Sequence, residues 1–211
     1  MPEPSSILDT VVLRTLAFAH PDGIDILLTA VQVSQARFPA EVYNQDEALL
    51  PLNQPDGTLS ELARGLRYAQ RQVLVKPETE AARYTTWLQH AQQLPRHLQR
   101  GSLSVDPLLV RELARRQGLM QIYGISRGEA ACLTLAERDK AQAIFLSSDD
   151  EACKVAQQLG IAYLTLTDVL ELWVKQEKPT LEQLRGLVSG LRQARFGLTE
   201  AYVKSLEVQL T

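Results

Sequence analysis

The chain has 211 residues, a net charge of −3 and an ordinary globular composition, 45% hydrophobic and 22% charged; this suits one domain with an insertion or two small domains, and argues against a disordered chain or a general nucleic-acid coat protein. Its longest apolar run falls far short of the ~20 residues that span a bilayer, and the start MPEPSSILDT lacks the basic head and apolar body of a secretory leader. No membrane partner and a cytoplasmic location are therefore expected.

Ser6 to Asp9 is a short apolar run ending in an acid, and Val11, Val12, Leu13, Leu16 and Ala17 after it suit a buried helix. A strand leading directly into a helix opens a β-α unit. A second helix is expected after Pro21-Asp22-Gly23, with Asp22 as its cap, then a brief strand within Val31 to Phe38 and a short helix from Pro39 along PAEVYNQDEAL. Leu50 to Gly57 carries turn chemistry and marks a boundary. Thr58-Leu-Ser-Glu61 reads as a capping box opening a helix to about Val75. Thr79 to Leu94 reads as the next, ended by Pro95, and Asp106-Pro107 starts a third that stops at Gly118.

This middle region has almost no strand signal. Residues 48–118 read as a helical insertion or cap on an α/β domain made of residues 1–47 and 119–211. The insertion is also basic: ten Lys or Arg residues lie between Ser60 and Gln117 against five acids, so that stretch carries +5 and the remainder −8. Such a division suits a protein that grips a polyanion in one place and holds cations in another, although solvated helix faces give the same tally.

From Ser126 to Ile161 the chain reads as a helix opening on an acid, a short apolar strand, and a helix opening on two more acids. A strand from Ile161 to Leu166, a helix from Asp168 to Gln176 and two capped helices at Thr180 and Thr199 follow. Gly186 and Gly190 are unfavourable in the middle of the first of these two. Strands separated by full helices specify an α/β fold with a parallel sheet covered on both faces, a three-layer α/β/α arrangement.

The ordered pieces ILDTVVLRTLAFAH, RFPAEVYNQ, GEAACLTLA, LSSDDEACKVAQQLGI and LTDVLELWVKQ together resemble the motifs of the PIN-domain family. RQARFGLTEAYVKSL is similar to a bacterial and archaeal PIN-like branch whose members mostly lack assigned functions. The resemblance covers about residues 5–47 and 124–207 and leaves the basic middle largely unmatched. It implies a PIN-like domain acting as a metal-dependent ribonuclease, in which acids at the C-terminal edge of the sheet hold Mg2+ or Mn2+ and hydrolyse RNA. Asp9 matches the first acid with Thr10 beside it, Glu129 the acid that opens a helix after a glycine, and Asp149 the acid after Ser147-Ser148, with Asp150 as neighbour.

Oxygen ligands of this kind suit hard divalent cations, and crowded carboxylates raise one another's pKa. Each acid also has a purely structural reading: Glu129 as the end of the Ser126 capping box, Asp149 and Asp150 within a Ser148-Asp-Asp-Glu151 box, Asp9 as an N-cap. Two positions depart from the family pattern. Val11 stands where a polar residue follows Asp-Thr, and the second acid falls at Gln45, with Asp46 one residue on and Glu41 a weaker substitute. The alternatives are therefore a PIN-fold module that binds RNA or a protein without cutting, or a toxin held by an antitoxin protein; a homodimer is compatible with each.

Other chemistry has less support. His20, His90 and His97 lack acidic or cysteine company and read as surface residues. Cys132 and Cys153 fall among apolar helix positions and read as buried free thiols. No Gly-rich phosphate loop or dinucleotide fingerprint is present. Tyr84 and Trp87 could stack on bases but read more simply as packing groups.

Overall fold

The computed structural model describes residues 5–48, 50–53 and 55–210. Residues 1–4, Leu49 at the expected end of the Pro39 helix, and Gln54 in the expected turn lie outside the described residues, as does Thr211.

The chain opens with β1 (Ser5–Leu8), α1 (Thr10–Ala19), α2 (Gly23–Ala30), β2 (Ala36–Phe38) and α3 (Gln45–Ala48). The middle holds α4 (Glu61–Val75), α5 (Glu78–Ala91), α6 (Gln93–Gln99), β3 (Leu103–Val105) and α7 (Val110–Tyr123). It closes with α8 (Arg127–Arg138), β4 (Ala143–Leu146), α9 (Asp150–Gln158), β5 (Ala162–Leu164), α10 (Leu166–Glu177), α11 (Leu181–Gln193) and α12 (Glu200–Val208). Five strands, all parallel, form one sheet in the order β3-β2-β1-β4-β5. The fold is the expected α/β class, with helices covering the sheet as a three-layer α/β/α domain.

Parallel strands need crossovers, and right-handed ones send the β1-to-β3 connections to one face and the β3-to-β4-to-β5 connections to the other. The packing follows: α1 lies against α2, α4, α5 and α11, whereas α8 lies against α7, α9, β1 and β4. Ile7, Leu8, Phe145 and Leu146 on the two central strands are fully buried, as strands covered on both faces must be.

Several boundaries differ from the sequence reading, each for a local reason. Leu103–Val105 is a strand at the sheet edge, so the 48–118 stretch is woven into the sheet as well as being helical. Its helices share the one core, through Leu62, Leu66, Tyr84, Trp87 and Leu94. Pro95 does not stop a helix; it occupies the first turn of α6, where its missing N–H costs nothing. Gly118 lies inside α7, which ends instead on Gly124 at φ 70°, a left-handed conformation that favours glycine. The segment after Pro39 is turned, and only Gln45–Ala48 is helical.

His97 is buried rather than at the surface, with Nδ1 at 2.8 Å from Ser102 Oγ. Tyr84 and Trp87 are packing groups, buried and 5.1 Å apart edge to face, with Trp87 stacked on Phe18 at 5.3 Å. Cys132 and Cys153 are buried free thiols. Among the described residues no helix is long and apolar enough to cross a membrane.

Candidate active site

The sheet has a topological switch point between β1 and β4, where successive connections leave in opposite directions. The carboxyl ends of the strands at such a point are the usual location for ligands in open α/β sheets. Register places Leu8 opposite Leu146, and the Asp9 N–H donates to the Leu146 carbonyl at 2.9 Å. Asp9 and Ser147 therefore leave the two central strands side by side. Ser147 Oγ donates to Asp9 Oδ2 at 2.8 Å and accepts from the Asp149 N–H at 3.1 Å.

Asp9 is only 1% exposed and is the N-cap of α1, its Oδ1 accepting from the Thr10 N–H at 2.7 Å. Burial pushes its pKa up to about 7; the Ser147 and Thr10 hydrogen bonds oppose that rise, and the charges of Glu129 and Glu61 add to it. Thr10 Oγ1 beside it is buried and has no hydrogen-bond partner among the described residues.

Glu129 is held by the Ser126 capping box at the start of α8, accepting from the Ser126 N–H at 2.7 Å. Burial also raises its pKa, helped by the charges of Asp149 and Glu61. Asp149 caps α9, its Oδ1 accepting from the N–H groups of Glu151 and Ala152 at 2.9 and 3.0 Å. The expected Ser148 box does not form, because Ser148 Oγ accepts instead from the Leu166 N–H at 2.9 Å. Asp150 is exposed on the first turn of α9.

Glu61 arrives from the opposite helical layer. The box expected from Thr58 to Glu61 is absent: Ser60 is the N-cap and Glu61 the first helical residue. Its carboxylate lies over the start of α8, where Oε1 accepts from the Gly128 N–H at 3.3 Å and from Ser126 Oγ at 3.4 Å. A helix N-terminus favours negative charge there. The backbone steers it into place, since the N–H groups of Glu61 and Leu62 donate to the carbonyls of Glu41 and Val42 at 3.0 Å each. Compared with family models, curated proteins and solved structures, the chain matches none of them.

The structure brings Asp9, Glu129 and Asp149 to one end of the sheet and adds Glu61, which the sequence reading assigned to a helix cap. Asp46 is exposed on α3, as is Gln45. Glu41 is committed to an ion pair with Arg116. A signal for Glu61 exists in the sequence, because an acid opening a helix just after a turn segment is placed like Glu129 and Asp149.

All four carboxylates are hard oxygen donors, and Asp9 and Glu129 carry raised pKa values partly because the others are near. That chemistry fits Mg2+ or Mn2+. Among the described residues no three His, Cys, Asp or Glu side chains form a preformed metal-holding group. Binding would therefore require side-chain rotation at the half-buried Glu61, Glu129 and Asp149.

Proposed function

We propose that this chain is a metal-dependent, PIN-like endoribonuclease, with Asp9, Glu61, Glu129 and Asp149 as its acidic site. The observation that supports this reading most is a buried Asp9 at the switch point of the sheet, where the charges of Glu129 and Glu61 add to the rise that burial gives its pKa. A purely structural acid at that position would be easier to bury as asparagine.

A bound Mg2+ or Mn2+ would supply positive charge against the carboxylates and the phosphoryl oxygens and would acidify water. Asp9, fixed by Thr10 and Ser147, is the rigid ligand. Glu61, Glu129 and Asp149 would close around the ion from two helical layers. Ser147 keeps Asp9 oriented and ties it to the backbone of Asp149, so the two strand ends keep one spacing.

A silent binding module is the second reading, favoured by the absence of a preformed three-ligand group among the described residues. An antitoxin or a second copy of the chain is compatible with both readings. Cleavage of single-stranded RNA by the purified protein in Mn2+ or Mg2+ decides between them. The expected result is cutting by the wild type, at least a hundredfold loss in Asp9→Asn, and a smaller loss in Glu61→Gln. Equal cutting by wild type and Asp9→Asn, or none by either, removes the nuclease reading.

A further inference from the structure

Beside the acids a cleft of about 280 Å3 opens between the starts of α4 and α8, lined by Glu41, Glu47, Ser60, Glu61, Arg64, Arg127 and Gly128 among others. It shares Glu61 and Gly128 with the acidic site, so whatever occupies it lies against the Glu61 carboxylate. Two of its walls carry cations. Arg64 is one turn beyond Glu61 on the same face of α4, and Arg127 immediately precedes Gly128; both are exposed.

Neither guanidinium has a close ion pair among the described residues. Arg64 has no ion pair among the described residues, and the nearby Asp56 carboxylate is already held by Arg71 through bonds of 2.6 and 3.0 Å. Arg127 has only a 3.8 Å contact to Glu41, whose carboxylate Arg116 already holds. This sets the pair apart from most of the basic middle, where Arg67, Arg71, Lys76, Arg100, Arg115 and Arg116 are committed to acids of the chain.

Resting on the nuclease reading above, we propose that this cleft is the mouth through which single-stranded RNA reaches the carboxylates, with Arg64 and Arg127 each holding a phosphate flanking the reacting one. A guanidinium presents a planar fork that matches phosphate oxygens. Acids alone would repel an RNA backbone, and two cations flanking them offset that repulsion where the chain must bend inward. The cleft is smaller than a typical enclosed ligand site, which suits one sugar-phosphate unit of a strand rather than a duplex, and Asp9 lies too deep for an unbent backbone.

The test is fluorescence anisotropy of a labelled single-stranded oligoribonucleotide in EDTA, where metal-dependent cutting is silent, across a salt series. Wild type, Arg64→Gln, Arg127→Gln and Arg96→Gln are compared, the last removing an exposed cation on α6 that has no ion pair among the described residues. Loss of one phosphate contact should weaken binding about tenfold and flatten the log K against log salt slope by about 0.7. Arg64→Gln and Arg127→Gln should each show this, with Arg96→Gln unchanged and all thermal melts alike. No RNA binding by wild type, or equal weakening by all three variants, overturns the proposal. If the cleft variants lose binding while wild type cuts no RNA in Mn2+, the cleft assignment stands and the nuclease reading fails.

Discussion

Asp9 is held ionisable at a cost. Burial raises its pKa from the ordinary 3.8 of an aspartate to about 7, so the folded protein binds the proton more tightly than the unfolded chain. The contribution to stability is present in full below the unfolded pKa, declines between about pH 4 and 7, and is lost as pH rises through the folded value. Asp9→Asn keeps the shape and an acceptor for the Thr10 N–H, with its amide NH2 donating to Ser147 Oγ instead of accepting from it, while removing the charge. It should therefore stabilise the protein at pH 8 by a few kcal/mol, on the order set by ~1.4 kcal/mol per pKa unit, and the gain should vanish near pH 4. Urea denaturation at the two pH values checks this. A loss of stability at pH 8 would mean that the carboxylate has a compensating partner and that its burial is not strained.

Helix starts carry the site, and their glycines set the clearances. A Cβ on Gly128 would come within 2.7 Å of Cδ and both carboxylate oxygens of Glu61. Because the obstructed group is the end of a flexible side chain, Gly128→Ala should move Glu61 aside, change stability by less than about 1 kcal/mol and lower Mn2+ affinity, measured by thermal shift with and without the ion. Gly190 is different in kind: a Cβ there would lie 2.0 Å from the Ala19 carbonyl oxygen at the end of α1. Gly190→Ala should cost at least ~1–3 kcal/mol by forcing α11 off α1, visible as a lowered melting temperature. Gly186 has open space around its Cβ position and should accept alanine.

At the same scale the legible and illegible parts of the sequence separate cleanly. The Ser126 and Thr180 boxes form because a single hydroxyl precedes each helix at the required spacing. Where two candidate N-caps lie close together, pattern alone is silent: Asp149 rather than Ser148 caps α9, and Ser60 rather than Thr58 takes the N-cap position of α4, without a side-chain capping bond. That second case hid Glu61, since a residue read as satisfying its own helix was not free to serve another. The Leu103–Val105 strand escaped notice because three residues are too few to show a period.

For the whole molecule, the alternation of strands and helices was enough to specify a covered parallel sheet, while the placement of Glu61 over the start of α8 depended on tertiary backbone pairing between Glu41-Val42 and Glu61-Leu62 that no local pattern encodes. The basic middle illustrates the same limit. Its charge excess was legible, but its use was not, because several of those arginines are paired with acids far away in sequence, Arg100 with Asp25, Arg115 with Glu137 and Arg116 with Glu41. A general polyanion-binding face is thereby reduced to a few cations without an ion pair among the described residues, Arg64 beside the acids being one of them.

The central claim is that four carboxylates from both helical layers, Glu61 among them and Asp46 not, make one cation site. Calorimetric titration of Mn2+ into the wild type, Asp9→Asn, Glu61→Gln and Asp46→Asn tests it most directly. Binding is expected in the wild type and unchanged in Asp46→Asn, weakened about tenfold or more in Glu61→Gln, and abolished in Asp9→Asn. Loss of binding in Asp46→Asn with Glu61→Gln unaffected, or no Mn2+ binding by the wild type, would contradict it.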